Sequence, residues 1–369
     1  MRIGTVVSCK KCFLGIVVLG TLLSLEVQGA MLDVIYTSSI GGGMPVKGTK
    51  YGVAGDGTIV GVSVLDGSYT VLGNDGRVER TGKIDVSNML PVTGGTQYQA
   101  PVVSDFSVDG NGDIYFVAAW RPTKQTVQHG IAVFDKKGAF VRSIDVKGLR
   151  IGSMSLGKDR MYIKGVTYEK AIENRVHEFD KMGNELGGFF PFPDASSWRD
   201  RSVESLQSVI AASRARGDFV DLSRKDRSSN NVVRGHKNGA SGGTVKEFEK
   251  EIIHQVKLPP DKGMVGQFGL PVGTAESTYK AVMLTDGTTV AQIMRTEYYV
   301  DPSKKERVGK THLYVDVLQQ DGQVADRIST DEIGVLAGVD ATDKLYFIGK
   351  ESTTGSQSQS LRLVKAILK

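Results

Sequence analysis

The sequence predicts an all-β chain, for three reasons. It contains 45 glycines against 10 prolines, a ratio that suits many tight turns. Short runs of alternating apolar and polar residues recur along its 369 residues, whereas apolar residues at helical spacing are scarce. The run FDKKG at residues 134–138 returns as FDKMG at residues 179–183, about 45 residues later. That period fits four antiparallel strands, the size of one β-propeller blade.

The clearest blade lies between residues 105 and 146. Its four predicted strands are residues 105–108, 113–119, 130–134 and 139–146. The turns inside the first and second strand pairs carry Asp and Gly, among them Asp109 and Asp135. Asp side chains accept hydrogen bonds from nearby backbone N–H groups, and Gly accepts a positive φ. We therefore interpret these acids as turn formers rather than catalytic groups.

Five further blades are predicted, which gives a six-bladed β-propeller of four-stranded antiparallel blades. They lie at residues 51–86, 152–192, 208–258, 279–329 and 334–368. In the fourth blade, the third and fourth strands are predicted at residues 244–248 and 251–258. The sixth blade has three strands of its own, and the isolated N-terminal strand at residues 31–40 is predicted to supply the fourth and close the ring. A generic antiparallel sandwich is the alternative, but it accounts for neither the repeat nor the strand count.

Residues 1–29 have the pattern of a secretory signal peptide. Positive residues precede an apolar run at 13–25, which is too short to span a bilayer comfortably. Val27 and Gly29 place small residues before a predicted cut at Ala30. We therefore predict export to the periplasm or the extracellular space, with no stable membrane span after cleavage. An uncleaved N-terminal anchor is the alternative.

Residues 30–369 are predicted to form a single propeller domain. They contain no cysteine, because Cys9 and Cys12 both lie in the signal segment. The formal net charge of the whole chain is +5, too mild an excess to indicate nucleic-acid binding. The sequence leaves the oligomeric state open.

The run FSVDGNGDIY at residues 106–115, with VFDKKG at residues 133–138, resembles the NHL-repeat and related six-bladed propellers. This broad superfamily also holds SMP-30/lactonase-like propellers. The resemblance implies a propeller over essentially all of residues 30–369, although only the second and third blades match well. It implies no single activity, because such propellers include sugar-lactone hydrolases, lyases and binding modules. The carboxylate, Asn and Asp set that lactonase-like enzymes place around a central metal has no residue-by-residue counterpart here.

No cofactor and no metal site is predicted. Asp109, Asn111 and Asp113 have the spacing of a calcium loop, which leaves calcium as an alternative. The twelfth position of such a loop is Trp120 rather than a glutamate. The five histidines lack the spacing of a zinc motif.

Function is expected on one face of the ring. The short turns inside strand pairs lie on one side, the short-turn face. The long connections lie on the opposite side, the loop-rich face, at residues 121–129, 167–174, 193–206, 223–243, 259–278 and 297–311. Binding residues usually lie on such loops, held by a rigid scaffold. The loops at 223–243 and 297–311 are rich in Lys and Arg, so they are either solvated or able to attract an acidic glycan, a phosphate group or an acidic protein patch.

Six residues of the loop-rich face are candidates for contacting a ligand or partner. They combine aromatic rings, cationic groups and imidazoles, which recur at recognition surfaces. They are Arg121, His129, Trp198, Arg199, Tyr298 and His312. No catalytic residue is identified.

The pattern as a whole favours an exported binding module that recognises a protein or glycan-like partner through the loop-rich face. A hydrolase or lyase at the central funnel, with or without a metal, is the alternative, and a structural role in a surface assembly is a third. Two acids, or a histidine with an acid, at the channel mouth would indicate an enzyme. An apolar or aromatic patch there would indicate binding.

Overall fold

The computed structural model describes residues 30–40, 49–84, 99–121, 127–146, 148–167, 173–193, 196–206, 208–224, 231–237, 246–252, 262–350 and 360–369. These residues form two helices, α1 (Trp198–Leu206) and α2 (Lys262–Phe268), and 24 strands. The strands are β1 (Leu32–Ile40), β2 (Thr49–Val53), β3 (Ile59–Ser63), β4 (Ser68–Leu72), β5 (Val78–Lys83), β6 (Gln99–Val108), β7 (Ile114–Arg121), β8 (Gln128–Phe134), β9 (Phe140–Asp145), β10 (Arg150–Leu156), β11 (Arg160–Val166), β12 (Asn174–Asp180), β13 (Glu185–Pro191), β14 (Val209–Ala212), β15 (Phe219–Arg224), β16 (Asn231–Lys237), β17 (Lys246–Ile252), β18 (Gly273–Met283), β19 (Thr289–Val300), β20 (Arg307–Leu318), β21 (Val324–Ser329), β22 (Val335–Val339), β23 (Leu345–Lys350) and β24 (Leu361–Leu368). The predicted signal segment lies outside the described residues.

The strands are arranged in six four-stranded antiparallel sheets, which confirms the predicted six-bladed all-β architecture. Blades one to five are consecutive: β2–β5, β6–β9, β10–β13, β14–β17 and β18–β21. Blade six consists of β22, β23, β24 and, at its outer edge, β1. The six inner strands form a closed circle, in which β2, β6, β10, β14, β18 and β22 each contact the next and β22 contacts β2.

The N-terminal strand completes blade six as predicted. It runs antiparallel to β24, from the pair Leu32 and Leu368 to the pair Ile40 and Leu361. One residue before the strand, Met31 exchanges two backbone hydrogen bonds with Lys369, of 3.1 and 2.9 Å. The pairing covers the edge of β24 that would otherwise be open.

The hydrophobic core lies between the blades. Val60 of blade one packs in one cluster with Phe106 and Phe116 of blade two, and a second cluster joins blades two and three. Blade two contributes five buried apolar side chains to these clusters: Val108, Ile114, Phe116, Ile131 and Val133. Because each blade buries its face against its neighbours, the ring is stabilised as a whole.

The Asp–Gly turns have the expected geometry. Asp135 Oδ1 accepts from the backbone N–H groups of Lys137 and Ala139 at 2.8 Å each, and Gly138 has a φ of 83°. Asp109 accepts from two backbone N–H groups of its own turn, and its Oδ2 also accepts from Lys181 Nζ of blade three at 3.1 Å. These contacts confirm that the acids shape the short-turn face.

Several details of the sequence prediction are wrong, including the predicted loop at 259–278, which contains α2 and the first six residues of β18. In blade four, the third and fourth strands are β16 and β17, not residues 244–248 and 251–258, so part of the predicted basic loop at 223–243 is a core strand. In blade five, β19 and β20 extend far beyond the expected limits, so the predicted loop at 297–311 is largely a two-stranded hairpin with a short turn. Both segments carry many charged residues, which resembled solvated loops in the sequence. Other parts of the predicted loops, at 122–126, 168–172, 194–195, 225–230, 238–245 and 253–261, lie outside the described residues.

Candidate functional site

The inner strands surround a central channel with a cavity of about 510 Å³. Each inner strand begins at the loop-rich face and ends in a short turn, as β2 does at residues 54–57. Positions next to these turns therefore lie near the short-turn end of the channel. Positions about five residues before the turn, such as Thr49 in β2 and Tyr279 in β18, lie near its mouth on the loop-rich face.

Arg214 spans the short-turn end of the channel. It lies in the turn after β14, and its guanidinium donates to three backbone carbonyls on the opposite side of the ring. The acceptors are Val339 O at 3.1 Å, Val108 O at 2.8 Å and Val53 O, each at the end of an inner strand. Burial lowers the pKa of Arg214, and the nearby carboxylates of Asp109 and Asp340 oppose this. An arginine stays protonated even so, and it ties blade four to blades one, two and six.

Replacing Arg214 by Met is expected to lower the free energy of unfolding by about 3 kcal/mol, because three carbonyls lose a charged donor. Urea unfolding measures the change. Arg216→Met is the matched control, since Arg216 belongs to the same turn but is exposed; its effect should stay within about 0.5 kcal/mol. Equal effects of the two substitutions would show that the guanidinium does not hold the ring.

Two lysines and one carboxylate lie between Arg214 and the mouth of the channel. Lys50 Nζ donates to Asp105 Oδ1 at 2.7 Å and to Ser104 O at 3.3 Å. Lys280 extends from blade five across blade six, and its Nζ donates to Tyr51 O of blade one. Burial lowers the pKa of Lys280 to about 8; the Asp105 carboxylate opposes the shift, and the cations Arg214 and Lys50 add to it.

Serine side chains join two neighbouring inner strands in the channel wall. Ser153 Oγ accepts from Ile210 N at 3.3 Å, and Ser155 Oγ accepts from Ala212 N at 3.0 Å. Both serines lie on β10 and both amides on β14, so the contacts join blades three and four. The wall of the channel is therefore polar at these positions.

The mouth of the channel carries apolar and aromatic surface. Leu206, at the end of α1, is 50% exposed, and Tyr279 is 41% exposed with its hydroxyl donating to Thr49 O at 3.4 Å. The helix approaches β10 so closely that a Cβ on Gly152 would lie 2.1 Å from the Ser205 carbonyl oxygen. A residue larger than glycine at position 152 would therefore displace α1 from the mouth.

Two of the six residues predicted to contact a partner belong to one packed cluster beside the mouth. His129 is buried, and its Nδ1 accepts from Ile151 N at 3.3 Å. Burial and the adjacent Arg150 cation lower the pKa of His129 to about 4, so the ring is neutral at physiological pH. The Arg150 guanidinium lies 5.8 Å from the ring centroid of Trp198 and donates to Ser202 Oγ at 3.1 Å, which fixes α1 against blade three.

The other four predicted residues make no described contact with this cluster. Arg121 is exposed at the end of β7, and Arg199 is exposed on α1. Tyr298 and His312 lie on the blade-five hairpin, where the Arg307 guanidinium lies 5.5 Å from the Tyr298 ring and His312 Nδ1 lies 2.7 Å from Asp331 Oδ2. None of the six lines the channel as far as the structure describes it.

None of the charged residues that line the channel was among the candidates predicted from the sequence. The charged side chains that line its described part are Lys50, Asp105, Arg214 and Lys280. One signal was present: Lys280 interrupts the apolar run of a predicted inner strand, where an unpaired charge is unexpected. The other three precede, begin or follow predicted strands and look like ordinary surface charges.

The described residues contain no group of three or more His, Cys, Asp or Glu side chains arranged to hold a metal ion. Among them, no helix has the length and apolar character needed to cross a membrane.

No protein-family model and no curated protein sequence matched this chain. Similar solved structures include a member of the DUF4221 family from Bacteroides vulgatus, with 8% identity, coverage of 92% of this chain and 99% of that chain, and a TM-score of 0.49. Another is the PQQ-bound form of aldose sugar dehydrogenase from Streptomyces coelicolor, with 12% identity, coverage of 92% and 98%, and a TM-score of 0.45. A third is regucalcin, a calcium-binding protein from Agrobacterium tumefaciens, with 12% identity, coverage of 92% and 94%, and a TM-score of 0.42.

Structural similarity at these sequence identities and TM-scores does not show that the chain shares an activity with these proteins. Its class, a six-bladed β-propeller, rests on its own six sheets and on the closed circle of inner strands. The resemblance to NHL-repeat propellers therefore holds for the propeller fold and not for that family in particular.

Proposed function

We propose that this chain is an exported binding module that holds a protein or carbohydrate partner at the mouth of its central channel. One observation carries the proposal: Arg214 spans the short-turn end, while Leu206 and Tyr279 present apolar and aromatic surface at the other end. A concave pocket that combines apolar and aromatic surface with a few polar groups is the usual form of a ligand-binding site. Export rests on the signal pattern of residues 1–29.

The distribution of acids supports binding over the alternative of a hydrolase or lyase. Asp105 is the single carboxylate among the described residues that line the channel, and it is ion-paired with Lys50. General acid–base chemistry on a substrate ordinarily uses two titratable groups that converge on one bond. The described lining holds no second acid and no histidine beside Asp105.

The surroundings of the mouth support recognition of a large partner. Trp198 and Arg199 lie on α1, the helix that ends at Leu206, so a partner at the mouth would also reach this helix. The exposed Arg199 offers a hydrogen-bonding group on the same helix. Aromatic and arginine side chains around an apolar centre are typical of both protein and carbohydrate recognition.

Binding to arrays of oligosaccharides and peptides tests the proposal. At least one class of probe is expected to bind, and the double variant Tyr279→Ala, Leu206→Ser should weaken that binding at least tenfold, which corresponds to about 1.4 kcal/mol. Met182→Ser is the control, because Met182 is 66% exposed but lies on the short-turn face; its affinity should be unchanged.

Several results would contradict the proposal. Failure of every probe class to bind would count against a binding module. An affinity that survives the mouth substitutions, or that falls equally in Met182→Ser, would place the binding site elsewhere. Chemical turnover of a bound probe would favour the enzyme alternative.

A further inference from the structure

The charges in the channel do not balance. Three cations line its described part, Lys50, Lys280 and Arg214, against the single carboxylate of Asp105. The Arg214 charge is met by three backbone carbonyls, with Asp109 and Asp340 nearby. The two lysines are left with one carboxylate between them, and Lys50 holds it at 2.7 Å.

Lys280 is the cation with spare hydrogen-bonding capacity. An ammonium group has three N–H donors, and the contact that Lys280 makes within the described structure is to Tyr51 O. A partly buried ammonium without an ion pair is unfavourable, and the lowered pKa of Lys280, about 8, reflects its desolvation. An anion in the cavity beside it would remove the cost.

The position of the lysines suits a ligand that enters from the mouth. The Lys50 side chain is 42% exposed, so it is accessible from the cavity although it is paired with Asp105. Tyr279 neighbours Lys280 in the chain and, with Leu206, lines the same cavity. A volume of about 510 Å³ is enough for a small organic molecule.

We propose that the channel binds a small organic anion, whose carboxylate or phosphate group lies between Lys50 and Lys280 and whose apolar part contacts Tyr279 and Leu206. This rests on the proposed function as a binding module, and it assigns to the channel a small ligand in addition to the protein or carbohydrate partner proposed for the mouth. The anion neutralises the lysine pair, and the apolar rim selects for an anion with a hydrophobic body over inorganic ions.

Anion binding should change the protonation of Lys280, and the experiment can measure that change as proton uptake. At pH 8.5 a group with a pKa of about 8 is mostly neutral in the free protein. An anion beside it favours the ammonium form, so binding at this pH should be accompanied by net proton uptake. Neither benzoate nor phenyl phosphate changes its own charge near pH 8.5, so the uptake reports on the protein.

Isothermal titration of the whole protein at pH 8.5, in two buffers of different ionisation enthalpy, measures affinity and proton uptake together. We expect benzoate or phenyl phosphate to bind with proton uptake and at least tenfold more tightly than neutral benzamide. Tighter binding of phenyl phosphate would indicate a phosphate ester as the ligand, and tighter binding of benzoate a carboxylate. Inorganic phosphate should bind more weakly than phenyl phosphate because it lacks the apolar part.

Three variants make the result specific. Lys280→Met should weaken anion binding at least tenfold and abolish proton uptake. Lys280→Arg should keep the affinity within about threefold but abolish the uptake, because arginine is charged at every pH used. Lys137→Met, at an exposed lysine of the short-turn face, should change neither quantity.

The proposal is overturned if neither anion binds better than benzamide, or if Lys280→Met leaves affinity and uptake unchanged. Lys280→Arg, which keeps the charge and the hydrogen-bonding capacity, decides the matter should Lys280→Met fail to fold. If the anions fail while array binding still depends on Tyr279 and Leu206, the anion site is wrong and the binding module stands. If array binding is also independent of these two residues, both are wrong.

Discussion

Deleting residues 30–40 is expected to lower the free energy of unfolding by about 4 kcal/mol. The deletion removes the buried side chain of Ile40, the partly buried Leu32 and the whole backbone pairing with β24. Most other side chains of β1 are exposed, so the loss comes chiefly from the two ends of the strand and the uncovered edge. Urea unfolding measures the loss, and light scattering should show self-association through the open edge of β24.

A circular permutant is the matched control for this deletion. Because Met31 and Lys369 form a backbone hydrogen-bonded pair, an Asn-Gly turn can join them as a two-residue β-hairpin. The permutant begins at Thr49 and carries residues 31–40 after Lys369 through that turn. We expect its stability to lie within about 1 kcal/mol of the original chain. An unchanged melting temperature after the deletion would refute the role of β1 in closing blade six.

The sequence predicted best the blades whose turns are stabilised by hydrogen bonds within the turn itself. Asp135 and Asp180 each bond to backbone N–H groups within their own turn, so a short motif is enough to locate the hairpin. Blade four lacks this advantage. Its third strand contains Arg234 and His236, both buried, and a buried charge in a strand resembles a loop until its partners are known.

The residues that line the channel could not be predicted from short sequence motifs, for a similar reason. Lys50, Arg214 and Lys280 come from blades one, four and five, and they meet because the ring closes. The loop-rich face was predictable from loop lengths, but the inner strands that surround the cavity contribute its charges. The alternation of apolar and polar residues therefore located the strands without revealing which polar residues face one another.

Blades three and four are joined by an ion network that the sequence did not indicate. Lys164 and Asp221, each with a fully buried side chain, form two contacts of 2.7 and 2.8 Å. Arg234 lies 3.3 Å from Asp221 Oδ2 and 3.1 Å from Glu204 Oε1 of α1. Asp221 is therefore the shared partner of two buried cations, and Glu204 connects the network to the helix at the channel mouth.

Asp221→Asn is expected to lower the free energy of unfolding by about 3–5 kcal/mol, because Lys164 and Arg234 would keep their charges in a buried site with one fewer counter-ion. Burial lowers the pKa of Lys164 below 10.5, and Asp221 is the first influence opposing it. In the variant the folded-state pKa falls further. The loss is therefore full below the folded-state pKa of Lys164 in the variant. It shrinks as the pH rises towards the higher folded-state pKa of Lys164 in the original chain, above which the lysine is neutral in both proteins.

Urea unfolding between pH 7 and 9.5 measures both the loss and its pH dependence. Glu249→Gln is the matched control, since Glu249 pairs with Arg234 at 2.9 Å but its side chain is 57% exposed; it should cost less than about 1 kcal/mol. Adding Lys164→Met to Asp221→Asn removes one of the two buried cations that lack a counter-ion. The double variant should therefore recover a large part of the lost free energy of unfolding, and a double-mutant cycle quantifies this coupling. If Asp221→Asn costs no more than Glu249→Gln, the carboxylate is not what holds these two blades together at their buried interface.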